Sequence, residues 1–147
     1  MVEDTSILRF KLIPASLDYL NCDFNDIKEL NGLPTHLEHL SCQHNRLTHL
    51  DHLPPTMESI RCNFNQIKTL DTLPPTLLDL QCCHNLITTL NHLPRTLKRL
   101  DCSYNKITTI NISESLVDLA CINCPLVDFK YPKCRSPLVS KHYCLYA

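Results

Sequence analysis

The sequence predicts a mostly-β solenoid of the α/β repeat class, a curved coil with a parallel sheet on its concave face and extended or irregular segments on its convex face. Two observations carry this. Leu17, Leu20, Cys22, Asn25, Ile27, Leu30, Leu33 and Pro34 recur twenty residues on as Leu37, Leu40, Cys42, Asn45, Leu47, Leu50, Leu53 and Pro54. The same register runs without slippage through Met57-Ile60-Cys62-Asn65-Ile67-Leu70-Leu73-Pro74, Leu77-Leu80-Cys82-Asn85-Ile87-Leu90-Leu93-Pro94 and Leu97-Leu100-Cys102-Asn105-Ile107-Ile110. A unit this short cannot bury its own apolar face and must stack on its neighbours, which makes a quasi-one-dimensional array.

The array opens inside a truncated unit, because Ile7, Phe10, Ile13 and Pro14 fall on the Ile27, Leu30, Leu33 and Pro34 positions. Residues 1–16 are therefore expected to form a partial repeat or cap, and residues 17–110 five repeats. Residues 111–129 form a variant last repeat, with Leu116-Leu119-Cys121-Cys124-Leu126-Phe129 arriving one residue early and Cys124 in the Asn slot. Residues 130–147 follow as a cap or tail, and the whole is expected to be one domain.

Within each unit, a segment such as Tyr19-Leu20-Asn21-Cys22-Asp23 alternates apolar and polar with period two, the pattern of a half-buried strand. Leu20 and Cys22 then point inward and Tyr19, Asn21 and Asp23 to the concave surface. Next comes a turn marked by Asn25, Asn45, Asn65, Asn85 and Asn105. An amide side chain can satisfy backbone groups left unpaired in a tight buried turn, so these residues are expected to form a structural ladder. The return is punctuated by Pro34, Pro54-Pro55, Pro74-Pro75 and Pro94, and Pro fixes its own dihedral while pushing its predecessor to extended geometry. That favours an extended convex side over a helical one.

Lys+Arg 14 against Asp+Glu 15 leaves a net charge of −1 over 147 residues, without the basic excess that nucleic acid or an anionic membrane surface requires. The acidic opening, Met1-Val2-Glu3-Asp4-Thr5, leads into no long apolar run, so no secretory signal or membrane span is expected, and the expected location is intracellular. Among 10 cysteines, Cys22, Cys42, Cys62, Cys82, Cys102 and Cys121 share one repeat position between apolar neighbours, which reads as a column of buried free thiols.

The unit L-P-x-x-L-x-x-L-x-C-x-x-N-x-I-x-x-L resembles the leucine-rich repeat, in the twenty-residue form found in bacterial effectors and in short repeat proteins of mimivirus-like giant viruses. The effectors usually carry an aliphatic residue where this chain has Cys. Some end in a ubiquitin-ligase domain, for which residues 130–147 are too few. The resemblance implies a scaffold whose concave sheet grips another protein. A viral origin would place it in the host cytoplasm or the virion.

On that reading the partner-binding candidates are Tyr19, Asp23, His39, Gln43, Arg61, Asn63, Asp79, Gln81, Arg99 and Asp101, a polar surface of mixed sign suited to a protein partner. Phe64 and Tyr104 join them from a column, Phe24-His44-Phe64-His84-Tyr104, placed just before each ladder Asn. Those rings either anchor a partner or pack on one another over the ladder. No cofactor, metal site or catalytic residue is expected. His44 and His84 lie two turns apart, too far to share a zinc ion. Cys121, Cys124, Cys134, His142 and Cys144 are weaker candidates for zinc or a tail disulfide. Cys83 and His84 should point to opposite sides of a strand. The alternative is a structural component, for example of a virus particle, that self-associates through the solenoid ends; otherwise a monomer is expected.

Overall fold

The computed structural model describes residues 7–9 and 14–130, with the backbone alone at 7–9 and 128–130. The opening-repeat positions Phe10 and Ile13, and the tail with Cys134, His142 and Cys144, lie outside the described residues. The described elements are short strands: β1 (Ile7–Arg9), β2 (Tyr19–Asn21), β3 (Glu29–Asn31), β4 (His39–Ser41), β5 (Ser59–Arg61), β6 (Asp79–Gln81), β7 (Thr89–Leu90), β8 (Arg99–Asp101), β9 (Thr109–Asn111), β10 (Asp118–Ala120) and β11 (Asp128–Lys130).

One strand from each turn joins a six-stranded sheet in the order β10-β8-β6-β5-β4-β2, parallel throughout. Because the period is constant, the register is too: Leu20, Leu40, Ile60, Leu80, Leu100 and Leu119 stand in one row. The last turn is one residue shorter yet keeps the row, since Thr109 and Ile110 still pair with Thr89 and Leu90 while Ser113 takes over the role of the proline. The shortening is thus confined to the segment around Ile112, whose side chain is buried there.

Across the coil the return segments are extended, and parts of them pair as strands: β1 with β3, and β9 with both β7 and β11. Each proline opens a tight turn. The N–H groups of Leu17, Leu37, Met57, Leu77 and Leu97 donate to the carbonyls of Pro14, Pro34, Pro54, Pro74 and Pro94 at 3.1–3.2 Å. Pro supplies the accepting carbonyl and, lacking an N–H, needs no acceptor of its own, so it suits this position.

Between the two lines of strands lies a single core of stacked columns, among them Leu37-Met57-Leu77-Leu97 and Leu47-Ile67-Ile87-Ile107, all fully buried. Each turn supplies the same apolar positions and covers the next, which is how units too short to fold alone become stable together.

Candidate functional site

The concave surface rests on ladders that must be separated from it before any residue is assigned to function. Asn45, Asn65, Asn85 and Asn105 are buried, and each works in the same way. The Asn65 amide nitrogen donates to the carbonyls of Cys62 in its own turn (3.1 Å) and Cys42 in the turn before (3.0 Å), and Oδ1 accepts the Leu47 N–H (3.0 Å). In the last turn Cys124 takes this place, its thiol donating to the Cys102 carbonyl at 3.2 Å and receiving the Ile107 N–H. One donor and one acceptor are enough to close the series. A second ladder, whose sequence signal is Thr or Ser two residues after Pro54, Pro74, Pro94 and Ser113, escapes a reading based on the apolar pattern. Thr56, Thr76, Thr96 and Ser115 donate to the carbonyls of Leu37, Met57, Leu77 and Leu97 at 2.7–2.9 Å, fastening the return segments to one another.

The aromatic column Phe24, His44, Phe64, His84 and Tyr104 forms a continuous face-to-face stack, with ring centroids 4.3–4.4 Å apart and planes within 7–11°. All five residues have left-handed backbone, φ 51–56°, which costs free energy for any side chain with a Cβ. Asn123 continues the conformation in the last turn at φ 53°. The strand repeat sets the ring repeat, and stacking offsets the strain. The ring edges remain accessible, with Phe24 75% and Tyr104 46% exposed, so packing and accessibility coexist in this column.

On the sheet, several candidates are engaged with one another. Asp23 accepts from Ser41 Oγ (2.8 and 3.0 Å), the Gln43 N–H (2.7 Å) and Gln43 Nε2 (3.3 Å). Asn63 donates to Gln43 Oε1 (2.9 Å) and accepts the Cys83 N–H (2.7 Å). Asp101 accepts from the N–H and Oγ of Ser103 (3.1 and 2.7 Å), and Ser103 Oγ in turn accepts the Ile122 N–H. Arg99 lies on Asp79 at 3.2 and 3.4 Å, with the carboxylate only 12% exposed against 63% for the guanidinium. Ser41, Asp79 and Ser103 are buried, although their positions alternate outward.

Other candidates, and Ser59 beside them in the same row, keep their polar groups for solvent. Tyr19, His39, Ser59 and Arg61 side chains make no hydrogen bond or ion pair among the described residues, and Gln81 is likewise unengaged. Tyr19, His39, Ser59 and Arg61 surround a shallow depression of about 100 Å³ whose floor includes Leu40 and Ser41. The register explains the grouping, since Tyr19, His39 and Ser59 are consecutive in one row and Arg61 is next to Ser41 in the other.

The column thiols are free cysteines, and Cys22, Cys42, Cys62 and Cys102 each donate to a carbonyl of the following turn at 3.4–3.5 Å. Burial pushes the Cys62 thiol up to about 12 and, aided by the charge of Asp23, Cys22 to about 12. Cys83 is raised to about 12 by burial and by Asp101, so it stays protonated at neutral pH, and the His84 ring is held between Phe64 and Tyr104. Cys124 moves the other way, to about 7, because as a thiolate it would accept hydrogen bonds from the Cys102 thiol and from the N–H groups of Asn105 and Ile107. Among the described residues, no group of three or more His, Cys, Asp or Glu is placed to hold a metal ion.

No protein-family model matches the chain, and no curated protein matches it in sequence. Solved structures do. The leucine-rich effector protein YopM from Yersinia pestis is 29% identical over 79% of this chain and 34% of its own, with a TM-score of 0.75. A Shigella effector leucine-rich repeat domain is 31% identical over 76% of this chain and 51% of its own, with a TM-score of 0.71. The fold is that of a leucine-rich repeat solenoid. A third leucine-rich repeat match, the functional domain of InlJ from Listeria monocytogenes, includes a cysteine ladder; it is 27% identical over 79% of this chain and 37% of its own, with a TM-score of 0.51. The chain spans between about a third and a half of the length of these structures. Among the described residues, no helix is long and apolar enough to cross a membrane.

Proposed function

We propose that this chain is a non-catalytic protein-protein interaction module that binds its partner on the concave face of the solenoid. The similarity to effector leucine-rich repeat proteins supports an interaction role at the level of the fold. The observation that carries the choice of face is the set of unengaged polar side chains, Tyr19, His39, Ser59 and Arg61, collected around one depression on a sheet whose other polar side chains largely bond among themselves. Polar groups already facing water and pre-positioned by strands can be desolvated against a complementary partner with little ordering cost.

The test is capture from host-cell lysate by wild-type protein beside a Tyr19→Ser, Arg61→Glu variant, read by mass spectrometry. Arg99 is left alone, because a carboxylate there would face the nearly buried Asp79 and unsettle the fold. A protein held by the wild type and lost by the variant, at equal melting temperature, supports the reading. Equal capture by both refutes it. Recovery of nothing but the chain itself would instead favour a structural, self-associating role, for instance in a particle.

A further inference from the structure

The depression bounded by β2, β4 and β5 has a chemistry of its own. At about 100 Å³ it is smaller than the roughly 300–1,000 Å³ of sites that enclose a whole small molecule, so it fits one functional group. Its free polar atoms are donors or can act as donors: the Arg61 guanidinium, the Ser59 and Tyr19 hydroxyls and a ring nitrogen of His39.

The two arginines of this face make the contrast. Arg99 has an acid beside it in the row, Asp79, and is held there. Arg61 has none; its row neighbours are Ser41 and Gln81. Of the concave-face acids, Asp79 is engaged by Arg99 and Asp23 by the Ser41 hydroxyl and the Gln43 amides. Since Ser41 Oγ already donates to Asp23 and accepts from Gln43, the wall it forms is satisfied, and the other polar side chains lining the depression have no partner among the described residues.

We propose that this depression is a subsite for the tetrahedral oxyanion of a phosphorylated side chain carried by the protein partner. The inference deepens the concave-face reading and rests on it. An arginine fork matches the geometry of an oxyanion, as it would a carboxylate. A carboxylate offers two oxygens, whereas four donor groups around one depression match the three acceptor oxygens of a phosphate monoester. Loss of the fork leaves the hydroxyls without a charge to complement.

The test is an NMR titration of the full chain at constant ionic strength with inorganic phosphate, phenyl phosphate and acetate, following the Arg61 Nε–H and His39 ring signals. Saturable shifts are expected for both phosphates, with acetate weaker by about tenfold or more. Arg61→Gln, an exposed substitution whose melting temperature should match wild type, is expected to weaken phosphate binding by about tenfold or more. Lys68→Gln, at an exposed cation elsewhere, should change nothing. Unsaturable shifts, acetate equal to phosphate, or binding indifferent to Arg61→Gln would each overturn the proposal. Phosphate binding that needs Arg61, found where lysate capture survives Tyr19→Ser, Arg61→Glu, would establish an oxyanion site but overturn its assignment to the captured partner. Capture lost without phosphate-selective binding overturns the subsite and leaves the concave-face reading standing.

Discussion

Replacing Asn65 by Ala removes four hydrogen bonds, but they are not equal. The Cys42 carbonyl keeps the amide of Asn45, and the Cys62 carbonyl keeps that of Asn85, so each loses one donor of two. The Asn63 carbonyl loses a longer contact of 3.3 Å near the surface. The Leu47 N–H loses its acceptor inside the core. A stranded buried donor costs about 1–3 kcal/mol, and each weakened carbonyl about 0.5 kcal/mol. Together these give about 3 kcal/mol, or a fall in melting temperature of about 10 °C for a domain of this size. Asn25 provides the control, because it is exposed and its amide donates to Cys22, whose carbonyl Asn45 also serves, and to Asp23. Asn25→Ala should cost less than half as much. Asn65→Cys should fall between wild type and Asn65→Ala, since Cys124 shows that a thiol provides one donor and one acceptor in this slot. Calorimetry of the three variants decides the matter. Equal losses for Asn65→Ala and Asn25→Ala would refute the claim that burial of a stripped N–H sets the cost.

Stability should fall with alkaline pH. Cys22 and Cys62 titrate near 12 when folded against 9.0 otherwise, and Cys42 and Cys82 are raised as well, so the folded state retains protons that the unfolded chain releases. Their contribution is complete below about pH 9 and lost from there towards pH 12, and the urea midpoint of wild type should drop over that range more steeply than that of a Cys42→Ala, Cys62→Ala, Cys82→Ala variant; parallel profiles would contradict this. For the aromatic column, Phe64→Ser should cost about 1–3 kcal/mol by removing two stacking contacts. Phe64→Gly should cost less than Phe64→Ser despite its smaller side chain, because glycine relieves the left-handed strain at φ 56°; thermal melts showing the reverse order would mean that the strain is negligible.

The coil was legible because one cause, burial of a repeated face, writes one period into the chain. Leu20, Leu40, Ile60, Leu80 and Leu100 announce both the strand and its register. The second line of strands was not, since β3, β7 and β9 lie in proline-punctuated segments where extended chain and paired strand look alike in sequence. Nor was the backbone of the aromatic column. Left-handed conformation is ordinarily signalled by Gly or Asn, and here Phe, His and Tyr adopt it because stacked neighbours and the fixed Asn turn leave them no alternative. The threonine ladder had a visible spacing but no apolar signal to draw attention to it.

The candidate site was legible only as a surface, because alternation says which side chains face outward and nothing about which of them face each other. The difference matters for how function is located. Gln43 and Asn63 bond along the sheet, Ser103 ties Asp101 to the last turn, and Arg99 covers Asp79, so these outward positions hold the face of the solenoid together. A scan that scored only binding would attribute to recognition what their loss does to the sheet. Tyr19, His39, Ser59 and Arg61 have no such internal duty among the described residues, and they occur together in the first three strands of the sheet rather than evenly along it. In a fold whose core repeats with every turn, that asymmetry cannot come from the packing. It arises at positions the core leaves free, which is where selection for a partner can act without cost to the coil.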